Sequence, residues 1–192
     1  MYKICVTGDS IFSGYPGALH RPHSYVGPAE NLMFMKDIEL TKLAYPAEGI
    51  IEQTARFNAL SSVLKQSFDY VIISDSFNSK GPIDSFQPFY QAHIDNIKSQ
   101  ISSTCKIVIT TPTPSSQWQQ DWYWGLYNAM MGIGAYTFTN YDIVAFEHSA
   151  LLADGSNYLN IIYRGSGGSD GLHPNNLGGW VIANSWRKAI FP

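Results

Sequence analysis

The chain opens with the stretch Tyr2-Lys3-Ile4-Cys5-Val6-Thr7-Gly8-Asp9-Ser10, a β-rich run that leads directly into a polar turn. This composition predicts a strand over residues 2–7. Glycine tolerates the conformations of a tight turn, so the serine is expected at the carboxyl edge of the sheet that this strand joins. Gly-Asp-Ser is also an ordinary turn sequence, and by itself it leaves the role of Ser10 open.

Short β-rich runs and longer helical stretches alternate along the rest of the chain, as they do in α/β folds. The run at 70–74 is continuously apolar, which is typical of a strand covered on both faces of a sheet. We expect one domain over residues 1–192, with a five-stranded, mostly parallel sheet in three layers and a site at the carboxyl ends of its strands. The other predicted strands are 38–43, 106–110 and 141–145, with a short extra strand considered at 158–163, and the predicted helices are 25–35, 49–64, 86–101, 117–131 and 177–189.

The composition is that of a globular protein, because 45% of the residues are hydrophobic and only 14% are charged. The net charge of −3 gives no electrostatic support for nucleic-acid binding. No stretch approaches the roughly 18–20 apolar residues of a membrane span, and no signal peptide precedes the first strand. We therefore expect a cytoplasmic protein; export by another route, a place in a larger particle and the oligomeric state stay open.

A second polar segment, Asp170-Gly171-Leu172-His173-Pro174-Asn175, lies near the other end of the chain. A serine hydroxyl becomes a nucleophile when a base takes its proton, and histidine is the usual base. An aspartate three residues before a histidine, on a loop, can fold back to orient the imidazole. The alternative is a helix-capping turn, since Pro174 and Asn175 come just before the last predicted helix, and the two interpretations are compatible.

Together, the two segments resemble the SGNH (GDSL-type) hydrolases, a family named for four blocks that carry Ser, Gly, Asn and His. Gly8-Asp9-Ser10 matches the first block and residues 170–174 match the last, so the resemblance brackets nearly the whole chain. It implies a flavodoxin-like α/β/α fold and ester cleavage without a cofactor. It also implies a triad in which Ser10 is the nucleophile, His173 the base and Asp170 the group that orients the base.

The Gly block of the family matches this chain loosely. The corresponding segment is Leu43-Ala44-Tyr45-Pro46-Ala47-Glu48-Gly49, which follows the second predicted strand and precedes a helix. In the family, the glycine N–H helps to bind the oxyanion that forms during acyl transfer. The resemblance therefore implies that Gly49 and the N–H of Ser10 belong to an oxyanion hole, although the neighbours of Gly49 depart from the family pattern.

The Asn block departs further from the family. Aligned from the third predicted strand, Asn78 falls on the family asparagine, while Ser76 replaces the usual glycine and Ser79 the usual aspartate. A side-chain amide can donate to an oxyanion, and one such donor contributes about 2.7–4 kcal/mol to transition-state stabilisation. The resemblance implies this role for Asn78; the alternative is an ordinary turn residue.

Two other patterns are set aside. Gly167-Gly168-Ser169-Asp170-Gly171 has the spacing of a nucleophile elbow, but that motif needs a strand before it and a helix after it. His20 and His23 flank Arg21-Pro22, which indicates a loop rather than a metal site, so no metal is predicted. Cys5 and Cys105 lie in or beside predicted strands, which favours buried free thiols over a disulfide.

Two features of the sequence bear on the substrate. No long apolar segment is available to bind a fatty chain, and the stretch from Ser116 to Trp124 places three tryptophans among polar residues. Aromatic faces suit the CH faces of sugars, so we expect a small-molecule or glycan ester with a short acyl group, such as an O-acetylated glycan; plain packing of a helix is the alternative. A carbohydrate-binding module that has lost turnover and an acyltransferase of the same fold remain alternative functions.

Overall fold

The computed structural model describes residues 1–13, 27–35, 37–74, 83–111, 113, 138–152, 162–165, 168–174 and 176–192. The predicted helix at 117–131 lies outside these residues. The elements in chain order are β1 (Tyr2–Gly8), α1 (Pro28–Met33), β2 (Ile38–Ala44), α2 (Ile50–Ala59), α3 (Ser62–Gln66), β3 (Tyr70–Ile73), α4 (Ile83–Lys98), β4 (Lys106–Thr110), β5 (Ile143–Ala145), α5 (Glu147–Leu152), β6 (Ile162–Gly165), β7 (Gly168–Pro174) and α6 (Asn176–Ile190).

Strands β1 to β5 form one sheet in the order β2-β1-β3-β4-β5, and every pairing in it is parallel. The predicted five-stranded sheet is thus confirmed. Thr7 of β1 lies between Leu43 of β2 and Ile73 of β3. Strand β2 pairs with one edge of β1, and β3 pairs with the other edge. The strand order therefore reverses between β1 and β3. In open α/β sheets, ligands bind at the carboxyl ends of the strands beside such a reversal.

Helices cover both faces of the sheet and create two cores. One core joins α2 and α4 to the sheet and contains Phe57, Ile94 and Val71. The other joins α1 and α6 to the opposite face and contains Trp186 and Ile72. Neighbouring residues of a strand point to opposite faces, so the continuous apolar run of β3 serves both cores. The result is the predicted three-layer α/β/α arrangement.

The two cysteines and one histidine are buried in this framework. Cys5 and Cys105 are free thiols, as the sequence indicated. His93 of α4 is fully buried, and its Nδ1 lies 2.7 Å from the hydroxyl of Thr54. That hydroxyl donates its proton to the carbonyl of Ile50 at 2.8 Å, so Nδ1 carries the ring proton and donates to Thr54. Burial lowers the pKa of His93 to about 4, because a charged ring would be poorly solvated.

Two predictions of secondary structure are wrong. The helix expected over 49–64 is divided into α2 and α3, because Leu60 is extended and the Ser61 hydroxyl caps α3 by accepting the N–H of Leu64 at 3.3 Å. The segment with Asp170 and His173 was expected to be a loop, but it belongs to β7, which pairs antiparallel with β6. The extra strand considered at 158–163 overlaps β6, and α5 was not predicted. None of the described helices is long and apolar enough to cross a bilayer.

Candidate active site

Ser10 lies in a tight turn directly after β1, at the point where the strand order reverses. The Asp9 side chain accepts the N–H of Ile11 at 2.9 Å, and its carbonyl accepts the N–H of Ser13 at 3.0 Å. Ile11 and Phe12 are buried, so the turn is anchored by both hydrogen bonds and packing. Ser10 itself is only 8% exposed. The turn therefore presents one small hydroxyl residue at the carboxyl edge of the sheet.

Gly8 is needed for space rather than for turn conformation. It is the last residue of β1, and a Cβ atom added to it would approach the Ser74 hydroxyl to well under 3.0 Å and Phe12 Cδ2 to 3.1 Å. The Ser74 hydroxyl is held in that place because it donates to the Thr7 carbonyl at 2.6 Å. The N–H of Tyr45 also donates to the Gly8 carbonyl at 3.1 Å. The ends of β1, β2 and β3 thus converge on this glycine.

Gly49 immediately precedes α2, and its N–H has a partner within the chain. It donates at 3.0 Å to the Glu52 carboxylate, which caps the first turn of the helix. An oxyanion would have to displace this carboxylate before it could bind the same N–H. The glutamate three residues after Gly49 is visible in the sequence and can accept the N–H of the residue before the helix, but its conflict with the oxyanion role was missed.

The backbone of the C-terminal block forms the second strand of the β6-β7 hairpin. This strand carries Asp170 and His173 and leads into α6. The side chains of Asp170 and His173, and the whole of Asn78, lie outside the described part of the chain. Ser169 is paired with Arg164 inside the hairpin, which is not the strand-to-helix turn that a nucleophile elbow requires.

Helix α6 contacts the Ser10 turn through two aromatic side chains. The ring of Trp186 stacks on that of Phe12, with centroids 5.8 Å apart and planes inclined by 30°. Both side chains are fully buried. Since α6 follows β7 directly, this contact joins the helix after the His173 block to the turn that carries Ser10.

A buried acid beside this contact was missed by the sequence analysis. Glu147 is the first residue of α5 and is fully buried. It accepts hydrogen bonds from the Trp186 indole N–H and, at 3.0 Å, from the Thr113 hydroxyl. Burial raises the pKa of Glu147 to about 8, and the nearby charge of Asp9 acts in the same direction. The only signal in the sequence is an acidic residue close behind a predicted strand.

No cluster of three or more His, Cys, Asp or Glu side chains that could hold a metal ion occurs among the residues whose side chains the structure describes. His20 and His23, the pair considered in the sequence, lie outside those residues.

No family model and no curated protein matches the sequence. Solved structures do match it along nearly their whole length. A lipase/acylhydrolase from Enterococcus faecalis superposes with a TM-score of 0.67 at 16% identity, over 98% of this chain and 94% of that one. A member of the lipolytic G-D-S-L family from Veillonella parvula gives 0.67 at 14% identity, over 98% and 97%. An acetylxylan esterase from Geobacillus stearothermophilus gives 0.68 at 12% identity, over 100% and 94%. The chain therefore has the flavodoxin-like α/β/α fold of the SGNH hydrolases, as the resemblance implied.

Proposed function

We propose that this protein is a serine-dependent ester hydrolase. The observation that carries the proposal is the position of Ser10: it follows the first strand at the reversal of strand order, in a fold shared with solved lipases and esterases. Sites in such sheets lie at this edge. A fold alone does not define an activity; the residues at the site do.

The proposed mechanism is acyl transfer through Ser10. His173 takes the proton of the Ser10 hydroxyl, whose oxygen attacks the ester carbonyl, and Asp170 orients the imidazole. His173 then protonates the leaving alcohol. An acyl-enzyme remains, and a water molecule deprotonated by His173 releases the acid. The hydrogen bonds and buried side chains that hold the Ser10 turn support this role, because a nucleophile has to be held close to its attacking geometry.

One proposed donor of the oxyanion hole already has a hydrogen-bond partner in the chain. The proposed donors are the N–H of Ser10, the N–H of Gly49 and the side-chain amide of Asn78. The Gly49 N–H is already bonded to the Glu52 carboxylate, whose charge would also repel an oxyanion. In the proposed mechanism, Glu52 has to release Gly49 when the substrate binds. The occupied Gly49 N–H also favours the alternative of a protein of this fold with weak turnover.

We propose a short acyl group, and in particular an acetyl group on a glycan, as the substrate class. The fold similarity to an acetylxylan esterase is compatible with this choice. The tryptophan-rich segment from Ser116 to Trp124 supplies the aromatic faces that sugars bind, although it lies outside the described residues. An acyltransferase would use the same acyl-enzyme, with a sugar hydroxyl in place of water.

The experiment is hydrolysis of p-nitrophenyl acetate and of an acetylated glycan by wild type, Ser10→Ala and Ser169→Ala. Ser10→Ala should lose at least about 10³-fold in turnover, because the nucleophile is removed. Ser169→Ala is the matched control, since it removes a hydroxyl from the rejected motif, and it should keep most of the activity. Mass spectrometry after treatment with a fluorophosphonate should locate the adduct on the peptide with Ser10. Full activity in a folded Ser10→Ala protein would overturn the proposal.

A further inference from the structure

The Glu147 carboxyl group joins three separate parts of the chain at the carboxyl end of the sheet. It lies at the start of α5, just beyond the end of β5. One oxygen accepts the hydroxyl of Thr113, which follows β4, and the other accepts the indole N–H of Trp186 in α6. Thr110, the last residue of β4, is a further donor to this carboxyl. Glu147 is therefore the point at which the end of the sheet is bonded to the last helix.

Burying an acid in this place is unfavourable for stability alone. Glu147, Thr113 and Trp186 are at most 1% exposed. Among the residues that the structure describes, no Lys or Arg forms an ion pair with Glu147. Well-packed apolar groups in place of buried hydrogen-bonded polar groups of the same shape can be nearly neutral or stabilising. Glu147 has no cation partner among the described residues, and its hydrogen bonds join three elements. Its contribution is therefore to fix one arrangement of those elements.

The arrangement that Glu147 sets includes the Ser10 turn. The indole that donates to Glu147 stacks on Phe12, and the N–H of Phe12 donates to the Asp9 carbonyl at 3.3 Å. The indole can adopt only a narrow range of orientations while its N–H is bonded, because a hydrogen bond weakens steeply away from linearity. The orientation of the Trp186 ring in turn defines the surface against which Phe12 and its turn pack.

We propose that Glu147 is a positioning residue for Ser10, acting through Trp186 and Phe12. The proposal rests on the proposed function, in which Ser10 is the nucleophile. Glu147 does not contact the substrate. It orients the indole of Trp186, which packs against Phe12 of the Ser10 turn. A displacement of about 1 Å at a nucleophile can cost about 100-fold in rate, so loss of this contact should lower kcat without a matching change in KM.

The charge of Glu147 provides an independent readout. Asp9, in the Ser10 turn, is the charged group that acts on Glu147 and raises its pKa, whereas Thr110, Thr113 and Trp186 do not titrate. The carboxyl is mainly neutral at neutral pH because burial raises its pKa to about 8. Above that pH, a second negative charge beside Asp9 should disturb the turn. The kcat of the wild type should therefore fall as the pH rises through about 8.

The test compares four variants of the full chain by kcat and KM on p-nitrophenyl acetate, with far-UV circular dichroism and urea unfolding to verify the fold. Glu147→Leu removes the carboxyl, and Glu147→Gln keeps an oxygen for Trp186 and an N–H that can donate to Thr113. Trp186→Phe removes the indole N–H on the path to Phe12. Thr113→Val removes a donor to the same carboxyl that is not on this path, so it is the matched control.

We expect Glu147→Leu and Trp186→Phe to lower kcat by about ten-fold or more, with KM changed by no more than about two-fold. Thr113→Val and Glu147→Gln should keep kcat within about two-fold of the wild type, and Glu147→Gln should lose the fall at alkaline pH. If Glu147→Leu does not fold, the contrast between Trp186→Phe and Thr113→Val decides. Equal kcat in these two variants at equal loss of stability, or a folded Glu147→Leu protein with wild-type kcat, would overturn the positioning role. Absence of turnover in the wild type would instead overturn the proposed function, and this inference with it.

Discussion

Replacement of Gly8 by alanine should destabilise the protein mainly through a contact with Ser74. The added Cβ would approach the Ser74 hydroxyl to well under 3.0 Å, a separation that real Cβ atoms essentially never show. Ser74 is fully buried and bonded to the Thr7 carbonyl, so it cannot swing into solvent. Overpacking of this kind costs about 1–3 kcal/mol. Loss of the Ser74 hydrogen bond adds about 1 kcal/mol.

Removal of the Ser74 hydroxyl should rescue most of this loss. Ser74→Ala by itself should cost only about 1 kcal/mol, because the Thr7 carbonyl keeps the bond from the Ser74 N–H at 3.2 Å. In the Gly8→Ala/Ser74→Ala protein, the Cβ no longer meets the hydroxyl. The approaches to Phe12, to Cδ2 at 3.1 Å and to Cβ at 3.3 Å, remain as sources of strain. We therefore expect the double variant to be more stable than Gly8→Ala alone.

The assay is a double-mutant cycle, with the free energy of unfolding measured by urea titration for the wild type, the two single variants and the double variant. The expected coupling is at least about 1 kcal/mol in favour of the double variant. Contacting residues show coupling of this size, while independent residues add to within about 0.5 kcal/mol. Additive effects would refute the reasoning and would point to the contacts with Phe12 as the source of the loss.

Four further predictions concern acid stability and the proposed site. Burial lowers the pKa of His93 below its value in the unfolded chain, so protonation of the unfolded chain destabilises the protein in acid. The free energy of unfolding should be at its full value above about pH 6.5 and should fall by about 3 kcal/mol as the pH drops toward 4. Urea unfolding of His93→Phe at both pH values should show a smaller fall, and a fall equal to that of the wild type would contradict this origin. Glu52→Ala should free the Gly49 N–H for the oxyanion and raise kcat. An unchanged kcat in the folded variant would contradict a role of that N–H in the oxyanion hole. Asn78→Ala should lower kcat by about 10²–10³ with little change in KM, and a well-folded Asn78→Asp protein with near-normal turnover would exclude the amide from the oxyanion hole. Acetyl esters should be cleaved at least as fast as octanoyl esters, because the sequence has no long apolar segment to build an acyl channel. In such a channel, each buried methylene would contribute about 0.8 kcal/mol, so a strong octanoyl preference would favour a lipid substrate.

The sequence alone was sufficient for the framework of the fold. Strands β1, β3 and β4 were predicted within about one residue of their observed limits, because each is a short β-rich run that ends in turn or polar residues. The position of Ser10 at the carboxyl edge follows from the same local pattern, since the residue after a strand lies at the end of that strand. The triad with Asp170 and His173 rests on the family resemblance and stays a prediction.

The tertiary structure decided the features that depend on residues far apart in the chain. The Ser74 hydroxyl occupies the space where a Cβ on residue 8 would lie, and Glu147 accepts hydrogen bonds from Thr113 and Trp186. The sequence showed only a turn glycine and an acid behind a strand. The composition of β7, which is rich in glycine and polar residues, indicated a loop. The segment is a strand because it pairs with β6. Apolar periodicity is a property of one segment and can be seen in that segment. The space beside a glycine and the burial of a carboxyl depend on which other segments fold against them, and that is known only when the chain has folded.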